Sequence, residues 1–415
     1  MKVAVYAICK NEARFAARWM ASMGEADGVY VLDTGSTDGT AERLRALGAV
    51  VAVEEIIPWR FDAARNRSLA LVPEDVDICV CTDLDEVFRP GWRAALEGAW
   101  GPDTVQASYR YTWSFRPDGG EDTVFWSEKI HSRQGWRWVH PVHEVLERLP
   151  GFPPGEKVLA PGVQLDHHPD PSKSRGQYLP LLELSVEEAP GDDRNTHYLG
   201  REYLYYGRWD DCIRTLKRHL SLPSAVWADE RCASMRYIAR ALVQKGEKAE
   251  ARRWLWRAVG EAPHLREPWL ELAWQLYESG EWDGVAYLCR AALSIETRPQ
   301  TYICEGWAWG SLPWDLLSIG LYRTGRRAEA LEAARQALAL EPDNAPHPAE
   351  CGAAGRLTLR GLRSGSAHRQ EPLPPQGKEG ARHIPEAGQK RTSLFWTAGI
   401  FRDTITLYRV RHPVP

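Results

Sequence analysis

Two carboxylates lie one residue apart at the end of an apolar run in the first third of the chain. The run covers residues 76–81, and the carboxylates belong to Asp83 and Asp85. Divalent cations prefer hard oxygen ligands, and a diphosphate bound to such a cation is a better leaving group because the metal neutralises the charge that develops on it. This pair therefore indicates chemistry on a nucleotide diphosphate.

Three more polar clusters accompany this pair along the first 115 residues. They are Cys-Lys-Asn-Glu at residues 9–12, Asp-Thr-Gly-Ser-Thr-Asp at 33–38 and Ala-Arg-Asn at 64–66. Apolar runs alternate here with amphipathic stretches, as they do in βαβ units. Ligands of such sheets bind at the carboxyl ends of the strands, where we expect all four clusters to lie. The predicted strands are 3–8, 29–32, 50–53 and 77–81, and the predicted helices are 12–23, 61–71, 92–100 and one that carries Leu44 and Leu47.

The pattern changes between residues 104 and 145, where aromatic and polar residues alternate. Tyr109, Tyr111 and Trp113 are examples. Alternation with a period of two predicts antiparallel strands that extend the sheet. These aromatic rings could stack on sugar faces, or they could simply pack one face of the sheet.

A helical, repetitive segment follows at residues 195–344. Its turn glycines, Gly207, Gly246, Gly280 and Gly325, are spaced by 39, 34 and 45 residues. Each copy resembles the tetratricopeptide repeat, which has a period of about 34 residues and is built from a helix pair. One helix pair cannot bury its apolar face alone, so we expect an all-α solenoid, which acts either as a spacer or as a binding surface for a partner.

Composition excludes several classes of protein. The 415 residues are 44% hydrophobic and 26% charged, which is typical of globular domains, and the formal net charge is −4. Residues 345–415 are rich in Gly, Pro and Arg, and we predict that this tail is disordered. The tail is basic, whereas residues 1–344 are acidic, and this acidic body argues against nucleic acid as the substrate.

The chain shows no secretory signal pattern and no apolar run long enough to span a membrane. It is therefore predicted to be cytoplasmic, with a peripheral membrane contact left open. The eight cysteines form no Cys-x-x-Cys pair, so we expect reduced core thiols rather than disulfides or zinc ligands.

Together, the four polar clusters resemble the motifs of the inverting GT-A glycosyltransferases of family 2, and of a bacterial branch of it that carries appended tetratricopeptide repeats. The resemblance covers residues 1–190 and implies a Rossmann-like α/β domain with a mostly parallel sheet. It also implies a UDP-sugar as donor, Mn²⁺ or Mg²⁺ as cofactor, and an enzyme of the hexosyltransferase type.

The resemblance assigns a role to each cluster. Residues near the nucleotide would be Lys10, Asn11 and Glu12. Asp33 would accept a hydrogen bond from the base or ribose, and Arg65 would border the base and the diphosphate. Asp83 and Asp85 match the family's Asp-x-Asp motif, so Asp83 would bind the donor and the metal, and Asp85 would be a metal ligand essential for catalysis.

An inverting transfer also needs a base that takes a proton from the acceptor. The segment 138–146 resembles the family's Trp-x-Gly-x-x-His-Glu segment, which makes Glu144 the candidate base and His143 a candidate metal ligand. Pro141 stands where relatives carry a small residue, and a structural His-Glu pair is the alternative. Either His167 or His168 could complete the metal shell.

These expectations combine into one hypothesis and two rivals. The hypothesis is a metal-dependent inverting glycosyltransferase whose repeats bind an acceptor protein, peptide or glycan. One rival is a tetratricopeptide scaffold with a degenerate transferase domain. The other is a sugar-nucleotide pyrophosphorylase, which residues 9–12 disfavour because they lack the Gly-rich phosphate loop of that class.

Overall fold

The structure, a computed structural model, describes residues 1–116, 118–170 and 176–341. The predicted tail, residues 345–415, lies outside the described residues. The chain divides into two compact units. Of the described residues, the first contains 1–272 and 295–306, and the second contains 273–294 and 307–341. This division does not coincide with the domain boundary expected near residue 190, which stays a prediction.

Ten strands lie in the first unit: β1 (Val3–Cys9), β2 (Gly28–Asp33), β3 (Val50–Val53), β4 (Ile78–Thr82), β5 (Glu86–Phe88), β6 (Thr104–Thr112), β7 (Val124–Ser132), β8 (Trp136–Val139), β9 (Val145–Arg148) and β10 (Glu156–His167). Eight of them form a sheet in the order β3-β2-β1-β4-β7-β6-β10-β5, and β8 pairs with β9 separately. β1 to β4 run parallel, whereas β7 is antiparallel to both β4 and β6. The sheet is therefore mixed, with the predicted antiparallel extension.

Three helices connect the parallel strands, namely α1 (Ala13–Ser22), α2 (Thr40–Ala46) and α3 (Phe61–Ala70), and a fourth, α4 (Trp92–Ala99), lies between β5 and β6. β1 is buried along its whole length, as expected for a central strand with helices on both faces. The helix α1 buries Trp19, whose indole Nε1 donates to Thr82 Oγ1 at 3.1 Å. The predicted positions of these strands and helices are thus confirmed to within a few residues.

The rest of the described chain is helical: α5 (Tyr178–Glu188), α6 (Asp193–Tyr205), α7 (Trp209–Ser221), α8 (Ala228–Gln244), α9 (Lys248–Glu261), α10 (Arg266–Glu278), α11 (Trp282–Leu293), α12 (Leu312–Arg323) and α13 (Arg327–Leu340). Each of the four predicted turn glycines follows the first helix of a pair and has a positive φ, between 70° and 81°. Glycine adopts this backbone at little steric cost, so the repeated glycines are explained by the repeated turn.

The widest glycine spacing also has a structural cause. An irregular segment, which we call the insert (residues 295–306), separates α11 from α12 and belongs to the first unit. Within that unit, the amide of Glu305 donates to Glu267 at 2.8 Å, and the Glu305 carboxylate pairs with Arg236 and Arg240. The insert therefore compensates buried arginine charges of α8.

Two other expectations are met in the described part of the chain. Seven cysteines are free and buried there, whereas Cys351 lies outside it. No helix in that part is long and apolar enough to cross a membrane.

Close packing of α6 on α7 requires glycine at position 200. A Cβ built there would come within 2.3 Å of Cδ2 of Leu216, which is fully buried and cannot move aside. Gly200→Ala should destabilise the fold by about 1–3 kcal/mol although alanine favours helices. The control is Gly260→Ala in α9, where no atom lies within 4 Å of the new methyl group and the gain should reach about 1 kcal/mol. Urea unfolding measures both, and equal effects of the two changes would contradict this account of the packing.

A buried hydrogen-bond chain holds β8 against the sheet. Trp138 Nε1 donates to Tyr6 Oη at 2.8 Å, and Tyr6 Oη lies 2.7 Å from His131 Nε2. His131 Nδ1 lies 2.8 Å from the carbonyl of Ser132 and can only donate to it, so Nε2 accepts from the tyrosine. The chain therefore needs a neutral imidazole at position 131.

Burial lowers the pKa of His131 from its ordinary value of 6.5 to about 4. The unfolded chain binds this proton at a higher pH than the folded one, so stability should fall as pH drops from about 6.5 to about 4, by about 3 kcal/mol in total. His131→Phe should weaken this pH dependence because it removes the group that titrates. Unfolding free energies at pH 7, 5.5 and 4.5 provide the measurement, and an unchanged pH slope in His131→Phe would refute the assignment.

Candidate functional site

The polar clusters meet at one edge of the sheet because β1, β2 and β4 are parallel neighbours. Cys9 at the end of β1 is opposite Asp33 at the end of β2, and Asp83 directly follows β4. The carboxyl ends of parallel strands are where α/β sheets bind ligands. Three of the four clusters therefore follow neighbouring strands at a shared edge, whereas residues 64–66 lie within α3 and reach this edge through the side chain of Arg65.

Side chains of the first two clusters shape the loops at this edge. Asp33 Oδ1 accepts hydrogen bonds from the amides of Gly35 (2.9 Å) and Ser36 (2.7 Å). Asn11 has a φ of 56°, and its Oδ1 accepts from the amide of Thr37 at 2.8 Å. Asp33 is the predicted acceptor for a ribose or base. One of its carboxylate oxygens thus already accepts two hydrogen bonds from backbone amides. Lys10 is exposed and Glu12 is buried at the start of α1.

Arg65 of α3 joins two clusters that are far apart in sequence. Its Nη2 donates to Asp83 Oδ1 at 2.8 Å and its Nε to Glu144 Oε1 at 2.5 Å. Arg65 is only 3% exposed. Burial opposes its charge, but Asp83 and Glu144 outweigh that effect, and the pKa of Arg65 is raised well above its ordinary value. The guanidinium therefore fixes the orientation of the candidate base relative to the Asp-x-Asp motif.

A second cation completes the environment of Asp83. Lys129 Nζ lies 3.2 Å from Asp83 Oδ2 and 3.3 Å from Glu86 Oε1. Burial works against ionisation of Asp83, yet Arg65 and Lys129 lower its pKa. The Glu86 carboxylate accepts hydrogen bonds from the backbone amide of Asp83 at 2.9 Å and from Tyr111 Oη at 2.7 Å, and so supports this loop. Both carboxylate oxygens of Asp83 are thus already paired.

Asp85 lies beside His167, at 3.5 Å between Oδ2 and Nε2. His167 Nδ1 is 3.1 Å from the carbonyl of Trp113, and this hydrogen bond directs Nε2 towards Asp85. Metal-binding histidines commonly have this support on the second nitrogen. The donor set therefore fits a hard divalent cation that takes its remaining ligands from phosphate and water.

The other two candidate histidines point elsewhere. The imidazole of His143 stacks on the Tyr198 ring at 4.0 Å, and its backbone has a φ of 51°. The ring of His168 stacks on Phe115 at 5.5 Å, while its amide donates to the carbonyl of Asp85 at 2.8 Å. The structure thus brings Asp85 and His167 together and does not join His143 to them in a three-ligand group.

Among the described residues, three ligand atoms within 4.8 Å of one another occur at His197, His219 and Glu230. All three side chains are buried. Ser234 Oγ lies 2.8 Å from His197 Nδ1 and 2.9 Å from His219 Nδ1, and His219 Nε2 lies 3.2 Å from Glu230 Oε1. This buried group is therefore already linked by hydrogen bonds. Sequence reasoning missed it because its members lie on α6, α7 and α8, so their spacing gives no motif.

No protein-family model matches this chain, and no curated protein matches it. Solved structures show weak similarity. The crystal structure of MamA is 18% identical, with 42% of this chain and 88% of that chain covered and a TM-score of 0.33. YrrB, described as a TPR protein with an unusual peptide-binding site, is 14% identical, with coverages of 45% and 82% and a TM-score of 0.32. A thermophilic TPR protein of Thermus thermophilus is 20% identical, with coverages of 45% and 92% and a TM-score of 0.31. Similarity of this degree assigns no function.

Removing the shared cation should be costly because Arg65 is buried and its loss leaves the Asp83 and Glu144 carboxylates without the charge they share. Arg65→Gln is expected to destabilise the protein by about 3–5 kcal/mol. Adding Glu144→Gln to that variant should restore part of the loss, which a double-mutant cycle measures by urea unfolding. Arg67→Gln on the same helix, at an exposed position, is the control and should change stability by less than about 1 kcal/mol. A strictly additive cycle would show that Arg65 and Glu144 are not coupled.

Proposed function

We propose that this protein is a metal-dependent inverting glycosyltransferase that moves a sugar from a nucleotide diphosphate, a UDP-sugar, to an acceptor nucleophile. The observation that carries this proposal is the link made by Arg65 between Asp83 and Glu144, at the sheet edge to which the other clusters also belong. This link supports a site in which the candidate base, Glu144, is held at a fixed distance from the donor-binding Asp-x-Asp motif.

Asp85 and His167 are the residues that would hold Mn²⁺ or Mg²⁺. Bound there, the cation supplies positive charge to the oxygens of the departing nucleotide diphosphate. Arg65 and Lys129 add positive charge on the same side, and both would contribute to binding an anionic donor.

Glu144 is suited to accept a proton. Its Oε1 is held by Arg65, while Oε2 has no hydrogen-bond partner among the described residues. As the acceptor oxygen attacks the anomeric carbon from the face opposite the diphosphate, its proton would pass to Glu144 Oε2. The bond between the anomeric carbon and the diphosphate oxygen breaks, and its electron pair leaves with the diphosphate.

Asp85→Asn tests this proposal because it removes a ligand charge without changing core volume. We expect at least a hundredfold loss of Mn²⁺-dependent UDP-sugar hydrolysis or transfer, with unfolding free energy changed by about 1 kcal/mol or less. Asp75→Asn, at an exposed position paired with Lys2, is the matched control and should keep full activity. Turnover of Asp85→Asn at the wild-type rate would rule out the metal role.

The second candidate function is a tetratricopeptide-type scaffold whose α/β region is no longer catalytic. One observation favours it: both oxygens of Asp83 are already paired, with Arg65 and with Lys129, so this carboxylate is compensated without any ligand. Helix pairs α6 to α13 would then bind a protein or peptide. Thermal shift of the wild-type protein with UDP and Mn²⁺ separates the two functions, since only the transferase should be stabilised by them.

A further inference from the structure

One large aromatic side chain is exposed at the sheet edge that carries the candidate site. The alternating aromatic residues could pack a sheet face or stack on sugars, and the structure divides them between these two uses. The rings of Tyr109 and Tyr111 are buried in the sheet, whereas Trp113, directly after β6, is 44% exposed. Packing of the sheet therefore explains the two tyrosines but leaves much of the Trp113 indole unexplained.

The Trp113 indole covers one face of the His167 imidazole. The two ring centres are 4.4 Å apart, and their planes are inclined by 23°. His167 is the residue beside Asp85 that would help to hold the divalent cation. Because one face of the indole lies against the imidazole, its exposed surface lies on the opposite face and along the ring edge. A flat apolar face is thus presented next to the candidate metal ligands.

Hydrogen bonds fix the backbone that carries this ring. The amide of Trp113 donates to the carbonyl oxygen of Thr123 at 2.8 Å. The carbonyl oxygen of Trp113 accepts from Nδ1 of His167 at 3.1 Å. A side chain that is held in place before the ligand arrives lowers the entropic cost of binding. The exposed indole is therefore a preorganised surface.

The position of Trp113 along the edge indicates which part of a donor would reach it. β6 runs parallel to β4 because β7 is antiparallel to both, so Trp113 and Asp83 follow their strands at the same edge. In the strand order, the clusters at 9–12 and 33–38 lie on one side of Asp83, whereas Trp113 and His167 lie on the other. A nucleotide at those two clusters, with its diphosphate at the cation, would place the attached sugar on the Trp113 side.

We propose that the exposed face of Trp113 binds the pyranose ring of the sugar that is transferred. This inference rests on the proposed transferase function and adds a binding subsite to it. The face of an indole carries negative charge density, which attracts the weakly positive hydrogens on the C–H face of a pyranose. Ligand sites commonly combine such an apolar surface with a few polar groups that fix orientation, here the metal ligands. The donor sugar is then recognised through a C–H face as well as through its hydroxyl groups.

The experiment compares UDP with UDP-glucose, UDP-galactose and UDP-N-acetylglucosamine by isothermal titration calorimetry in the presence of Mn²⁺. Trp113→Leu removes the flat ring and should weaken the binding of at least one UDP-sugar by about fivefold to tenfold. UDP itself should bind to this variant as it binds to the wild type. Trp113→Phe keeps an aromatic face and should lose less affinity for the same UDP-sugar.

Trp256→Leu on α9 is the matched control. Its indole is 52% exposed and lies outside the strand-end clusters. The control variant should bind UDP and every UDP-sugar like the wild type. A loss that is confined to Trp113→Leu would therefore belong to this ring and not to the removal of an exposed tryptophan in general.

Three results would overturn the proposal. An equal loss of affinity for UDP and for every UDP-sugar would mean that Trp113 acts through His167 and the cation. Unchanged binding of all three UDP-sugars by Trp113→Leu would reject the sugar subsite, while continued UDP binding would leave the transferase function in place. If the wild-type protein binds neither UDP nor any UDP-sugar, the transferase function and the sugar subsite are both rejected.

Discussion

A single buried guanidinium holds the candidate site together. Arg65 neutralises carboxylates contributed by two distant parts of the chain, Asp83 after β4 and Glu144 before β9. Charges buried this way are tolerated only when they are paired, so the loop of residues 140–144 must close over α3 for the fold to be stable. The hydrogen bonds of Asn66 to the backbone of Trp138, at 2.8 Å each, hold the same two segments in register.

The pairing of charges also differs among the carboxylates at this edge of the sheet. Asp83 and Glu86 share Lys129, whereas the Asp85 carboxylate lies beside His167 and the backbone carbonyl of Asp85 accepts from the amide of His168. The neighbouring carboxylates therefore differ in what they can offer a ligand. A ligand of Asp83 would have to displace two cations, whereas a ligand of the Asp85 side chain would compete, among the described residues, only with its contact to His167.

Much of the architecture could be predicted because it depends on local patterns. Apolar runs located β1, β2, β3 and β4, and the repeated turn glycines located the helix pairs, since both signals arise from neighbouring residues. Site chemistry was predictable only as a set of clusters at strand ends. The pairing of Arg65 with Glu144, the stacking of His143 on Tyr198 and the group around Ser234 depend on long-range packing, for which residue spacing carries no signal.

The insert gives the chain an interleaved organisation. Residues 295–306 belong to the first unit although the helices before and after them belong to the second, so the polypeptide passes between the units three times. A truncation at residue 272 or 294 would strip Arg236 and Arg240 of the Glu305 carboxylate. Neither unit can therefore be excised by a single cut, and a soluble fragment of the first unit would need residues 295–306 rejoined to it through an artificial linker.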